Sequence, residues 1–366
     1  MDPRIQTFAK ILVEHSARIV PGDRVAIEAT TAAEPLVRAL FQEILTHGGF
    51  PYPLLKFPEQ NRELFSFGND DQLSHVDQLR SQIYNQFESR IRIHSLTNPN
   101  QLVDFPPEKQ TIFQQAQSPI LEAQMDRGAR DEFKWVTTLF PTPAYAREAG
   151  MSLTAYEDFV YGACLADRDN PIDLWQQVKE NQKAALSLFQ DHDRIQLKGP
   201  NIDLELSVKD RTFKNCFGTN NMPDGEIFTG PVEESLNGWV RYSYPAIHEG
   251  VKVKGIELTF KDGKVIQATA EEKEDYLLKL LDTDPGARYV GEFAVGMNRD
   301  IQQFSGNILF DEKIGGTIHI AIGAGYPETG SKNKSALHWD MICDMRSDST
   351  ITVDNNLVYQ DGEFLF

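Results

Sequence analysis

Cysteine is scarce in this sequence. Cys164, Cys216 and Cys343 are the only three, too far apart for a Cys-x-x-Cys zinc or redox motif and odd in number for a disulfide framework. A reducing, cytoplasmic setting is expected. Basic residues are also in short supply: 36 Lys plus Arg face 54 Asp plus Glu, a formal charge of −18. Such a field repels the phosphate backbone that supplies most nucleic-acid affinity, so no nucleic-acid partner is expected. No uninterrupted apolar stretch approaches the ~20 residues that span a bilayer. The opening segment MDPRIQTFAK has no basic stretch leading into an apolar one. No membrane anchor is expected. Low-complexity tracts are missing too, and with 40% hydrophobic and 25% charged residues the balance is that of a soluble globular protein.

A length of 366 residues suggests two domains. The first part alternates helix and strand patterns. Ile5, Phe8, Leu12 and Val13 recur at helical spacing, Pro21-Gly22-Asp23 makes a turn, and Arg24 to Ala29 reads as a strand. A helix over Glu34 to Thr46 places Leu36, Leu40 and Ile44 on one face and stops at Gly48-Gly49. Strands follow at Pro53–Phe57, Arg90–His94 and Lys134–Phe140, and this succession predicts an α/β layer with a largely parallel sheet. Asn170-Pro171 starts a long helix reaching about Phe189. Beyond it the pattern turns to strands and hairpins: Arg194–Lys198, Asp203–Val208, Trp239–Tyr244, and Val253–Phe260 returning through Lys261-Asp262-Gly263-Lys264. A helix over Glu271 to Leu281 precedes a tail of strands with a hairpin around Asn355-Asn356. The expected organisation is an α/β domain over 1–190 and an α+β domain rich in antiparallel strands, carrying the functional site, over 191–366.

Familiar nucleotide and hydrolase motifs fail on inspection. In Gly325-Tyr-Pro-Glu-Thr-Gly330-Ser331-Lys332 the lysine falls one position late for a phosphate loop, and Pro327 breaks the backbone cradle. Gly323-x-Gly325 lacks the third glycine of a dinucleotide fingerprint. There is no Gly-x-Ser-x-Gly elbow and no His-Glu-x-x-His helix. His248-Glu249 reads as a solvated loop.

The second half holds a more telling set. In His338-Trp339-Asp340 the period of two points imidazole and carboxylate to one face of a strand. In Gly316-Thr-Ile-His319-Ile-Ala-Ile-Gly323, Ile318, Ile320 and Ile322 point one way, while Thr317, His319 and Ala321 point the other. A histidine flanked on its own face by small residues leaves room for a ligand. Glu226 follows the turn Asn-Met-Pro-Asp-Gly, Glu292 sits in the nearly apolar Tyr-Val-Gly-Glu-Phe-Ala-Val-Gly, and Glu312 follows Ile308-Leu309-Phe310-Asp311. Carboxylates buried there without partners would cost several kcal/mol or be forced to protonate, so cations are their natural company.

The strings NMPDGEIFTGP, VGEFAVGMN, LFDEKIGGTIHIAIGAGY and SALHWD resemble, in matching order, the motifs of the thermophilic aminopeptidase T family of metallopeptidases. The resemblance covers the second half from about Asn221 to Asp344 and, more loosely, the α/β first half. It implies cytosolic exopeptidases with two divalent metals, acting on peptides with a free N-terminus as a homodimer. It carries the metal ligands onto Glu226, Glu292, Glu312, His319, His338 and Asp340, and a catalytic tyrosine onto Tyr326. Independently, Glu226, Glu292, Glu312 and Asp340 bring four negative charges, which two divalent ions neutralise and one does not. Mixed oxygen and imidazole donors suit zinc, cobalt or manganese.

The expected chemistry is metal-assisted hydrolysis of the N-terminal peptide bond by a metal-activated water. Glu292 is expected to bridge the ions, Glu312 or Glu226 to carry the proton, and Tyr326 to donate to the tetrahedral oxyanion. The rival readings are another dinuclear hydrolase, an amidase or dipeptidase, and a catalytically silent binding protein that keeps the fold.

Overall fold

The computed structural model describes residues 2–102 and 104–366. By packing, the chain divides into two compact units: residues 1–175 with 218–223, and residues 176–217 with 224–366.

The first unit is built on a five-stranded sheet, entirely parallel, in the order Phe50–Lys56, Arg24–Thr30, Ser89–His94, Lys134–Leu139, Asn221–Met222. Helix Glu34–Thr46 buries Leu36, Leu40 and Ile44, and Gly48 ends it in the left-handed conformation, φ +75°. The strand expected at Pro53–Phe57 runs instead over Phe50–Lys56. Pro51 and Pro53 are tolerated within it because it is the edge strand, where a missing N–H need break no ladder bond.

The second unit holds an eight-stranded antiparallel sheet, a hairpin of Ala246–His248 with Val251–Val253, and a five-stranded antiparallel sheet. The last is ordered His338–Asp344, Thr317–Gly323, Val290–Gly296, Glu226–Thr229, Lys214–Cys216. One apolar cluster draws on both large sheets: Phe293, Val295, Ile318, Ile320 and Ile322 from the smaller, Ile195, Leu204, Val240, Leu258 and Ile351 from the larger. Each such side chain, fully buried, contributes about 1.5–3 kcal/mol. This burial fixes which face of the five-stranded sheet turns inward.

Two hairpins follow the sequence closely. Asp262 and Gly263 both take positive φ, 49° and 77°, as a two-residue turn matching strand twist requires. The terminal hairpin joins Thr350–Val353 to Asn356–Gln360, with its turn at Asp354 and Asn355. Val253–Phe260 is not one strand. Gly255, at φ +63°, breaks it into Val251–Val253 and Glu257–Lys261, which join different sheets. The helix expected from Glu271 begins at Glu274. His248 closes a short strand, half-buried, with its ring 5.8 Å from that of Trp339 and its Nδ1 3.1 Å from the Tyr276 hydroxyl, so it is not a solvated loop residue.

Candidate metal centre

The outward face of the five-stranded sheet gathers the polar residues singled out in the sequence. His338 and Asp340 share a strand face, and cross-strand register sets Glu292 and Asp340 opposite Ala321, His319 opposite Ala294, His338 opposite Gly323, and Glu226 opposite Gly296. Each sheet-borne candidate therefore has an alanine or glycine opposite it on one neighbouring strand, while on the other side His319 faces Ile342 and Glu226 faces Cys216. On the other face, isoleucine and aromatic side chains fill the same positions; here the small partners leave room for the buried acidic and imidazole side chains to meet. Two glycines are obligatory for backbone reasons. At Gly225 (φ +126°) a Cβ would lie 2.9 Å from Asn298 Cβ, and at Gly323 (φ +96°) it would lie 2.1 Å from the Leu337 carbonyl oxygen.

His319 Nε2 lies 3.4 Å from Glu292 Oε1, 3.6 Å from Glu226 Oε2 and 3.9 Å from Asp340 Oδ1. His338 Nε2 lies 3.5 Å from Glu292 Oε2 and 3.3 Å from Asp340 Oδ2. Glu292 thus turns one oxygen toward each imidazole. The far side of each ring settles its tautomer. His319 Nδ1 is 3.0 Å from the Glu312 carbonyl oxygen and His338 Nδ1 is 2.8 Å from that of Ala324. A carbonyl only accepts, so both Nδ1 atoms carry hydrogen, and both Nε2 atoms face the carboxylates, donating to them when the rings are charged and free to ligate a metal once neutral.

The electrostatics are those of a site short of cations. Burial pushes the carboxyls of Glu226, Glu292 and Glu312 up, opposed by Lys313 at Glu226 and Glu312 and by His319 at Glu292. Asp340 goes the other way, to about 2: burial pushes it up, but His338, His319 and Lys313 together outweigh burial. Burial also works against charge on the imidazoles, yet Glu292 and Glu226 raise His319 to about 10, and Asp340 and Glu292 raise His338 to about 10. Glu226 Oε2 is buried and accepts no hydrogen bond from the described residues. An orphaned carboxylate oxygen beside two inward-facing imidazole Nε2 atoms, whose protons a metal would displace, is what a divalent cation would satisfy, and the oxygen and nitrogen donors fit one. Ligand atoms of Glu292, His319 and Asp340 lie within 4.8 Å of one another.

Glu312 and Tyr326 come from outside the sheet ladder. Glu312 caps the short helix Ile308–Asp311, and its carboxylate is in contact with the Lys313 ammonium. The Tyr326 ring packs edge-on against His338, centroids 5.2 Å apart, and against Phe228 at 5.4 Å. Burial, then Glu292, pushes its phenol far up, so the hydroxyl keeps its proton and can donate it in a hydrogen bond.

Three contributors escaped the sequence reading. Lys313 is fully buried, with Nζ 3.4 Å from Glu226 Oε1 and in contact with Glu312. It corrects the charge arithmetic: with the imidazoles neutral, as metal ligation requires, four carboxylates and one ammonium leave three negative charges. The lysine in Asp-Glu-Lys-Ile was visible as a letter but carried no periodic signal of its burial. Gln182, from helix Pro171–Leu186, donates to the carbonyls of Cys216 at 3.0 Å and Glu226 at 2.8 Å. Asn298 donates through Nδ2 to the Asp224 carbonyl at 2.7 Å and through its backbone N–H to that of Lys313 at 3.0 Å. It thereby fixes the turn before Glu226 relative to the loop bearing Lys313.

Comparison with known proteins agrees with this architecture. The chain is 26% identical to aminopeptidase 2 of Geobacillus stearothermophilus over 383 residues, covering 96% of this chain and 91% of that one. Its fold is similar to wild-type AmpT from Thermus thermophilus, at a TM-score of 0.87 and 22% identity over 99% of each chain. More distantly it resembles 2,5-dihydroxypyridine dioxygenase from Pseudomonas putida, at a TM-score of 0.59 and 14% identity over 99% of this chain and 96% of that one. The same framework thus carries different chemistries, and fold alone does not select among them. Family membership does, and here the model described as thermophilic metalloprotease (M29) matches residues 1–364: the chain belongs to the M29 family of metal-dependent peptide hydrolases.

Proposed function

We propose that this protein is an aminopeptidase that removes the N-terminal residue from peptides with a free amino terminus, using two divalent ions, zinc, cobalt or manganese. Glu226, Glu292, His319, His338 and Asp340 would hold them, with Glu312 at the margin of the set. The supporting observation is the convergence of both Nε2 atoms and the carboxylates on one sheet face, where Ala294, Gly296, Ala321 and Gly323 are among their cross-strand partners. Aminopeptidase names among the relatives supply the substrate class. When bound, such ions provide Lewis acidity at the scissile carbonyl and an acidified water.

The chain's own residues have the following parts. Glu292, with one oxygen toward each imidazole, orients both halves of the site. Glu312, steered by Lys313, accepts a proton at its carboxylate and delivers it to the leaving amine. The Tyr326 hydroxyl donates to the oxygen that gains charge as the carbonyl becomes tetrahedral. Surplus carboxylate charge holds the substrate's α-ammonium. A homodimer and a cytoplasmic location belong to the same proposal, and sedimentation at twice the chain mass tests the first.

The deciding experiment measures metal content together with hydrolysis of a free-amine aminoacyl substrate and its N-acetylated form. Two ions per chain and cleavage of the free amine alone are expected. Equal cleavage of both forms would indicate an amidase, and metal uptake without hydrolysis a silent binding protein.

A further inference from the structure

The parallel sheet of the first unit holds a charge imbalance that peptide hydrolysis does not use. Glu28 stands in register with Arg92 on the neighbouring strand, and Arg90 and His94 lie two residues to either side of Arg92, on the same face. Lys56 ends the adjacent strand opposite Thr30. Arg80 reaches in from helix Gln78–Gln86. Arg80 Nε and Arg92 Nε both donate to Glu28, at 3.3 and 3.0 Å, while Arg92 donates to the Tyr84 hydroxyl at 2.6 Å, which in turn donates to Glu28 at 3.3 Å. One carboxylate serves two guanidiniums.

Arg90 has no such partner. It is 1% exposed and donates to Gln124 Oε1 at 3.0 Å and Thr137 Oγ1 at 3.5 Å. Its Nε makes no hydrogen bond among the described residues. Neither Arg90 nor Lys56 forms an ion pair among those residues, the guanidiniums beside them taking Glu28. The other carboxylate near Lys56 is Asp77, which is engaged in capping the helix by accepting from the Arg80 backbone N–H at 3.1 Å. Four cations and two carboxylates leave two positive charges, partly buried, in a chain whose total is −18. Burial, then the Arg80 charge, depresses the Lys56 ammonium, as expected where negative charge is lacking.

The position matters as much as the charge. From Arg24–Thr30 the chain moves outward to Phe50–Lys56, then crosses back to Ser89–His94 on the other side of the first strand. Strand order therefore reverses between Glu28 and Arg92. The carboxyl ends of strands at such a reversal are where open parallel sheets bind ligands; Lys56 ends its strand there, Arg92 lies next along the face, and Arg90, the second residue of Ser89–His94, stands buried behind them. Guanidinium forks match the spaced oxygens of phosphate and carboxylate.

We propose that Lys56, Arg80, Arg90 and Arg92 form a binding site for a small oxyanion, a phosphate or a carboxylate, at the strand-order reversal of the parallel sheet. The test is calorimetric titration of the full chain with inorganic phosphate and, separately, succinate, at constant ionic strength. At least one anion should bind, and which one identifies the oxyanion class. Lys56→Gln should weaken that binding about tenfold or more, the loss of one charge-assisted contact. Glu28→Gln should tighten it by removing the competing carboxylate. Should Glu28→Gln fail to fold, Lys56→Gln decides alone, because Lys56 has no ion pair to lose. No heat from either anion would overturn the proposal. So would wild-type affinity in Lys56→Gln, which is the result expected of an anion settling on the histidine and carboxylate cluster instead.

Discussion

Tyr326 and Lys313 show how single side chains divide the work of the site. Tyr326→Phe removes one hydroxyl and leaves the ring packed on His338 and Phe228. If that hydroxyl supports the developing oxyanion, turnover should fall by about 10²–10³-fold with unchanged metal content. Steady-state kinetics on metal-replete protein checks it, and a rate above about a third of wild type would assign Tyr326 to packing. Lys313 has the opposite character, acting on stability before chemistry. Lys313→Met leaves Glu226 and Glu312 buried without their cation, and breaking a buried pair from one side costs about 3–5 kcal/mol. Urea unfolding in the presence of a chelator should show a loss of that order, and added metal should recover part of it. A loss below about 1 kcal/mol would mean that the pair counts for no more than a surface contact.

At the scale of elements, the five-stranded sheet separates two tasks by face. Ile318, Ile320 and Ile322 are buried in the apolar cluster, while His319 and Ala321 line the polar side. This division was legible in the sequence because strand periodicity is a local property. The same holds for His338 with Asp340, and for the turn at Asp262-Gly263. The cross-strand partners were not legible: nothing local announces that Ala321 lies between Glu292 and Asp340. Ala321→Val tests their importance. Its added methyls should crowd both carboxylates and lower metal affinity and activity by at least tenfold, while β-branched Val, at home in a strand, leaves the thermal midpoint within a few degrees. Elemental analysis and a melting curve on one preparation check this. Normal metal content in the variant would show that the clearing does not depend on small partners.

For the whole molecule, the cation-poor site couples folding to pH. Without bound metal, neighbouring carboxylates raise His319 and His338 from 6.5 to about 10, so the folded chain retains protons that the unfolded chain releases. That contribution is complete below about pH 6.5 and is lost as pH rises toward 10. Asp340, lowered from 3.8 to about 2, works in the reverse direction: its share is present above pH 3.8 and is lost as pH falls through 2. The chelated protein should therefore lose thermal stability steadily from pH 6.5 to 10. Saturating metal should flatten the slope, because the ion takes the lone pairs the protons held. Melting curves with and without chelator give the answer, and identical slopes would disconnect the imidazoles from metal binding. The sequence by itself determined which residue types were available, which of them share a strand face, and where chain reversals fall, since each follows from neighbours a few positions apart. Only the tertiary structure decided that Lys313 is buried against Glu226, that Gln182 reaches the carbonyl of Glu226, and that four cations crowd Glu28 in the first unit. Those facts depend on strand register and on which surfaces lose water together, and both are set by contacts between segments far apart in the chain.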